Sequence, residues 1–238
     1  MVDSTNAGTM TPQEKRQYIK DNITWLSEAL LGDLRTFKDG IELYLKNKTD
    51  PSYIEKRGGG NVSFIIPLTT ALELASALYA GQTIYKDGNA YNATENVKQF
   101  VKRYFPGKGG QIPLLLWDGI RNGVDHVFVP KKTRRGNDLI EIEFFVDPPN
   151  APSTVEKLDV EICVKINSLE FYDVVEQAIN AYKNELQTNG DLQDKFIEAW
   201  ESIKNYTREI NEGDEERSNE IDTLLGELRK SNSFKLFK

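Results

Sequence analysis

Apolar residues at Ile19, Ile23, Leu26, Leu30, Leu34, Phe37, Ile41 and Tyr44 recur every three or four positions. That spacing is the stripe of one long amphipathic helix. Thr11-Pro12-Gln13-Glu14 supplies its start, with threonine as N-cap, proline at the first helical position and glutamate three after the cap. Gly32 and Gly40 are places for a bend, and Asp50-Pro51 ends the helix. Residues 47–60 read as a loop whose Arg57-Gly58-Gly59-Gly60 lacks the Lys-Ser/Thr that a P-loop requires. Asn61 to Ala80 is apolar nearly all round, so this helix is central. Its one carboxylate, Glu73, either emerges at the helix edge or needs a partner, for which Arg121 is the candidate. Residues 82–92, around Asp87-Gly88, read as a turn or tiny hairpin. Residues 93–105 form a short helix that Pro106 stops, with Val97, Phe100, Val101 and Tyr104 inward.

After Pro130 the period changes from 3.6 to two. Ile140, Ile142, Phe144 and Val146 alternate with Glu141, Glu143 and Phe145, and the run from Leu158 to Ile166 alternates likewise. These are two half-buried strands separated by a proline-rich loop at 148–156. A turn at Arg135-Gly136-Asn137 would add Val127 to Lys132 as a third strand. A lone hairpin is marginal in water, so its apolar face belongs on the helices or on another subunit. Asn167-Ser168-Leu169-Glu170 opens a helix with the stripe Tyr172, Val175, Ile179, Tyr182 and Leu186, which Gly190 ends. A second helix carries Leu192, Phe196, Trp200, Ile203, Thr207 and Ile210, and a short last one Ile221, Leu224, Leu225 and Leu228. The class is mainly α, in the α+β sense.

Composition narrows the setting. The single cysteine, Cys163, excludes an internal disulfide and a cysteine-rich metal site, and fits a reducing compartment. No basic stretch followed by an apolar one opens the chain, and no segment reads as a membrane span, so a cytoplasmic protein is expected. A net charge of -7 argues against a general nucleic-acid binder. The distribution changes that picture. Lys98 to Gly136 holds nine basic residues against Asp118 and Asp125, whereas residues 137–238 hold 11 basic and 23 acidic. A local basic stretch on an acidic chain attracts a phosphate backbone while the remainder resists indiscriminate binding.

The basic stretch contains Gln111 to Pro130, and within it His126, the only histidine. On a helical wheel Trp117, Ile120, Val124, Val127 and Phe128 share an apolar arc, and Asp118, Arg121, Asn122, Asp125 and His126 a polar one. Gly119 and Gly123 lie side by side, each costing about 1 kcal/mol against alanine, which suggests a closely approaching backbone. Histidine exchanges a proton near neutral pH, arginine grips phosphate through two hydrogen bonds, and Asn122 sits one turn before the imidazole to orient it. One histidine and no nearby cysteine make a poor metal site, and no G-x-S-x-G elbow is present for serine hydrolysis. A plainer reading remains: Arg121 and Asp125 as a surface ion pair, and His126 as a cap on a helix end.

Arg121-Asn122-Gly123-Val124-Asp125-His126 also resembles the arginine, polar residue, three free positions, histidine motif of HEPN domains. The preceding apolar helix and the short helix ending in Tyr104-Phe105-Pro106 agree with the resemblance, which covers roughly residues 12–130. It implies a HEPN-like helical bundle at 12–130 after a disordered leader at 1–11. A β-hairpin or small antiparallel sheet and C-terminal helices at 131–238 would pack on that core. It further implies a homodimer in which two motif helices face each other, bringing together Arg121 and His126, which lie roughly 140° apart on one helix. The implied activity is metal-independent cleavage of single-stranded RNA, without a cofactor, of a defence or toxin kind with an antitoxin or other protein partner. Arg121, Asn122 and His126 would be catalytic, with Glu73 and Asp125 supporting and Lys102, Arg103, Lys131, Lys132, Arg134 and Arg135 on the RNA. The alternative is a non-catalytic HEPN-like scaffold for protein interaction or nucleotide binding.

Overall fold

The structure, a computed structural model, describes residues 7–47, 61–82, 92–107, 109–111, 113, 114, 117, 132–135, 138–146, 150–158, 161–204, 219 and 222. The chain divides into two compact units, Met1–Lys204 and Asn205–Lys238. In the second, the described positions are residues 219 and 222, both helical. All but the ends of the loop expected at 47–60 and of the turn expected at 82–92, and nearly all of the last helix, lie outside the described residues. The first unit is mainly helical with one small sheet, so the α+β class holds.

Ala7–Thr9, in the stretch read as a leader, makes one 3-10 turn. Helix α1, Pro12–Thr24, then starts at the expected capping box. The Glu14 amide donates to Thr11 Oγ1 at 3.3 Å, and the Thr11 amide donates back to Glu14 Oε2 at 2.6 Å. The long helix does not continue evenly into α2, Leu31–Asn47, because Trp25–Leu30 forms a π-helical turn. A π turn inserts about one residue per turn. The apolar stripe therefore steps from Leu26 to Leu31, five positions on, and Leu31 is buried where Leu30 was expected. The phase shift also turns Phe37 out to 50% exposure and brings Lys38 inward, its ammonium 5.0 Å from the centre of the Tyr172 ring. The irregularity thus falls ahead of Gly32, and both Gly32 and Gly40 face open space.

Helix α3, Asn61–Ala80, is the centre of the unit, as its all-round apolar sequence requires. Phe64, Ile65, Leu68, Ala71, Ala75 and Leu78 are wholly buried. The hydroxyls of Thr69 and Ser76 share that burial and donate to the carbonyls of Ile65 and Leu72, at 2.7 and 2.6 Å. Around α3 pack α2, α4 (Ala93–Tyr104), α5 (Ser168–Leu186) and α6 (Gly190–Lys204). One core therefore draws on residues from both sides of position 130. Tyr79, Phe100, Tyr104 and Tyr182 meet mostly edge-on at 4.9–6.0 Å between α3, α4 and α5. The Tyr182 hydroxyl has no hydrogen-bond partner among the described residues, and burial holds its pKa well above the ordinary phenol value. On the far side, Tyr18 donates to Glu201, Lys15 pairs with Asp194, and Trp200 Nε1 donates to Asn22 Oδ1 at 2.8 Å, tying α1 to α6.

Among the described residues the sheet has four strands, β1 (Thr133–Arg135), β2 (Asp138–Phe145), β3 (Thr154–Leu158) and β4 (Glu161–Asn167), in the order β1-β2-β4-β3. A hairpin or antiparallel sheet was expected; the sheet is mixed, because β2 and β4 run parallel. The run read as one strand from Leu158 to Ile166 is instead the end of β3 and most of β4, folded on each other as an antiparallel hairpin. That hairpin lays the later strand, β4, beside β2 and leaves β3 outside. The period-two pattern is kept throughout. Ile140, Ile142 and Phe144 stand opposite Ile162, Val164 and Ile166 on the inner face, while Glu141 and Glu143 stand opposite Cys163 and Lys165 on the outer one. The outer face is a mixed-charge ladder, with Lys132–Glu141 at 2.8 Å and Lys165–Glu156 at 2.9 Å.

Asn167 caps α5 as expected, its Oδ1 accepting from the amides of Leu169 and Glu170 at 2.9 and 3.4 Å. Glu170 does not complete a local box. Its carboxylate accepts instead from the Ser153 amide at 2.6 Å, and Ser153 Oγ accepts from the Asn167 amide at 3.0 Å. The helix start is thereby laced to Ser153, the residue just ahead of β3. Gly190, expected to end that helix, opens α6.

Candidate functional site

The Arg121–His126 stretch is reached through a short connection that this sequence is built to make. Helix α4 stops at Phe105, which is extended (ψ 137), and Gly107 follows with φ 58, a left-handed conformation that glycine adopts without strain. Gly110 then passes so close beneath α4 that a Cβ would lie 2.9 Å from the Phe105 carbonyl oxygen. A 3-10 turn, Gly109–Gln111, leads to Pro113, Leu114 and Trp117, all in helical conformation. Trp117 is 2% exposed. It lies with Pro113 against Thr69 and Leu72 of α3, Val97 and Val101 of α4, and Phe105, around a void of about 10 Å³. That is room for at most one water molecule. Trp117, four positions before Arg121 in the sequence, is therefore pinned to the centre of the helical core.

Arg121, Asn122, Asp125, His126 and Lys131 themselves lie outside the described residues, as do Gly119 and Gly123. Glu73 is described, and it is half-buried rather than enclosed. It follows Thr69 by four positions, so it sits one turn further along the side of α3 on which Trp117 rests.

The basic residues fall into two groups. Lys102 and Arg134 are exposed, and Arg135 stands in β1 opposite Asp138. Arg103 and Lys132 are already paired within the fold, Lys132 with Glu141. Arg103 grips the Glu185 carboxylate with both arms of its guanidinium, Nε to Oε2 at 3.0 Å and Nη2 to Oε1. The Tyr104 hydroxyl donates to the same carboxylate at 2.9 Å, and so does Asn189 Nδ2. Arg103 first, opposed by burial and joined by the bonds from Asn189 and Tyr104, holds the Glu185 carboxyl down to about 2. Burial and the Glu185 bond push Tyr104 up, and the same carboxylate raises Arg103. The sequence reading did not find Glu185, because its partners lie 81 and 82 positions away and no local pattern announces them.

This carboxylate gives an acid-stability prediction. Unfolded glutamates titrate near pH 4.3, as against about 2 here, so the stabilisation is full above that value and disappears as pH falls towards 2. Glu185→Gln should lose about 1 kcal/mol at pH 7, solvent screening having reduced the gain, and differ little from the parent near pH 2. Urea unfolding at pH 7 and at pH 2.5 checks this; an equal deficit at both values would show that the loss is packing and not charge.

Two cavities were not foreseen. A groove of about 790 Å³ between α2 and α5 is lined by both signs, with Lys38 and Asp173 paired across it at 2.6 Å. A smaller cleft of about 260 Å³ is mainly apolar and lies between the end of α4, the β3–β4 hairpin and α5. Its only trace in the sequence is Thr154-Val155, a strand-favouring pair inside a stretch read as loop. Among the described residues no group of His, Cys, Asp or Glu is arranged to hold a metal ion, and no helix is long and apolar enough to cross a membrane. Comparison of the chain with protein-family models, with curated proteins and with solved structures finds no match.

Proposed function

We propose that this protein is a HEPN-like, dimeric, metal-independent ribonuclease acting on single-stranded RNA through Arg121, Asn122 and His126. The observation that carries the reading is Trp117, buried against Thr69 and Leu72 four positions before Arg121 in the sequence. An anchor this close in sequence to the motif would give it the rigid support that catalytic geometry needs. The same spacing of four runs from Thr69 to Glu73 and from Trp117 to Arg121, which suits Glu73 as the partner of Arg121. In the proposed reaction a neutral His126 takes the proton of a 2′-hydroxyl, and that oxygen attacks the adjacent phosphorus. The bond to the 5′ oxygen breaks, the departing oxygen takes up a proton, and a 2′,3′-cyclic phosphate remains. Arg121 holds the phosphoryl oxygens and offsets their growing charge. RNA contact falls first to Lys102, Lys131, Arg134 and Arg135, since Arg103 and Lys132 have acidic partners.

Those two ion pairs favour the second reading, a non-catalytic HEPN-like scaffold in which part of the basic stretch serves packing. Incubation of purified protein with single-stranded RNA in EDTA separates the two. Products ending in 2′,3′-cyclic phosphate, with binding that weakens steeply as salt rises, are the expected result. Indifference to RNA at low salt would leave the scaffold. A toxin or defence role, with an antitoxin as partner, belongs to the first reading and stands or falls with cleavage.

A further inference from the structure

The π turn at Trp25–Leu30 leaves α2 with two overlapping apolar stripes, and the fold uses the less apolar of them. Continued from Leu26 at α-helical spacing, the chain would turn Leu30, Leu34, Phe37, Ile41 and Tyr44 inward. The extra residue of the π turn presents Leu31, Leu34, Lys38, Ile41 and Leu45 instead. Leu34 and Ile41 belong to both sets. At about 100° per residue, the two inward directions therefore lie only about 60° apart. The set in use carries a lysine, while Phe37 of the other set stands 50% exposed.

Charge decides between the two. Lys38 reaches Asp173 at 2.6 Å and lies 5.0 Å from the centre of the Tyr172 ring, and Arg35 Nη2 donates to Glu176 Oε1 at 2.6 Å. These contacts tie α2 to α5. Both ion pairs are partly open to water, so each contributes little, and burial of the Phe37 ring would offset ties of that strength. We propose that the π turn is a movable insertion: α2 rolls by about 60° between two registers, and the Lys38–Asp173 and Arg35–Glu176 pairs hold the one described. In the second register the turn relaxes towards α-helical pitch, Phe37 goes in, and Lys38 and Arg35 swing away from α5. The groove of about 790 Å³ is bordered by Lys38, Glu42, Leu45 and Lys46 of α2, so the roll also changes its wall. Ile41 moves to the place of Lys38, and Leu45 to that of Glu42, which makes the wall more apolar. Ionic strength is the lever, because salt screens ion pairs that water reaches. The switch is independent of any action on RNA.

The test follows the Phe37 ring by fluorine NMR, with 4-fluorophenylalanine at that position alone in the full chain. A neutral, soluble gadolinium chelate broadens the signal of a ring that water reaches. In the parent at low salt the broadening should be strong, as 50% exposure requires. It should fall about threefold or more in Asp173→Lys, and likewise in the parent at about 1 M salt, where charges are screened within about 3 Å. Lys38→Ala removes the same pair from the other side and should act alike, which covers an Asp173→Lys protein that folds poorly. Deletion of Ala29, an exposed residue of the π turn, should lock the described register, because Leu31 then follows Leu26 by four positions in a regular helix. The shortened chain should keep the parent's low-salt broadening at both salt concentrations. Unchanged broadening in Lys38→Ala and in the parent at high salt would overturn the proposal. So would an equal fall in the chain lacking Ala29, which would place the change outside the π turn.

Discussion

His126→Ala is expected to lower RNA cleavage by about 10² to 10⁴-fold, the loss that follows removal of positioned acid–base assistance. RNA binding should stay close to the parent's, because the imidazole is needed neutral and contributes little charge to phosphate attraction. His126 is the only histidine in 238 residues, so no other imidazole can replace it. Arg121→Ala should weaken both binding and rate, since its guanidinium grips the phosphate before and during reaction. The parent's rate should rise with pH through the histidine pKa, near 6.5 before any influence of surroundings, and that limb should vanish in the alanine variant. Single-turnover cleavage and filter binding on the same preparations separate the two variants. Equal cleavage by parent and His126→Ala would assign the activity to a contaminant or another site and leave the scaffold reading.

Trp117→Ala should destabilise the first unit by about 3–5 kcal/mol, the range for truncating a buried tryptophan. The side chain is 2% exposed, and its neighbours come from α3, α4 and α5, elements that hold one another in place. The site cannot collapse readily to refill the space, which puts the cost towards the upper end. In thermal unfolding the loss corresponds to roughly 10 °C for a unit of this size. Trp117→Phe, which keeps most of the apolar volume, should cost less than half as much. Because Trp117 lies four positions before Arg121 in the sequence, the alanine variant should also cleave more slowly at temperatures where it remains folded. A change below about 1 kcal/mol would mean that Trp117 does not anchor the segment.

Strong local periodicity made most of the helices legible. The capping box at Thr11, the all-round apolar α3 and the inward set of α4 follow from patterns a few residues long. The π turn does not, since Leu30 and Leu31 are chemically equal and only packing against α3 and α5 decides which one turns inward. The sheet was legible as alternation, because Ile140 to Phe144 and Ile162 to Ile166 carry period two. Its order was not, because whether β4 pairs beside or beyond β3 depends on long-range register that alternation leaves open. For the site, Trp117 was legible as a member of the apolar arc shared with Ile120, Val124, Val127 and Phe128, and it is buried. Arg103 read as a free cation for lack of any local sign of Glu185. In each such case a partner distant in sequence decided the outcome.

The order β1-β2-β4-β3 also bears on how the chain is made. β2 is complete once residue 145 has been synthesised, yet its neighbour β4 is, among the described residues, the last strand to leave the ribosome. Until residue 167 follows, the row Ile140, Ile142 and Phe144 stands beside an open edge with only the three-residue β1 for company. At about 5–20 residues per second that interval lasts roughly one to a few seconds, long compared with the microseconds a hairpin takes to close. The exposed strand is one that a neighbouring nascent chain can add to, so this sheet carries its greatest risk of mispairing during synthesis and not in the finished protein.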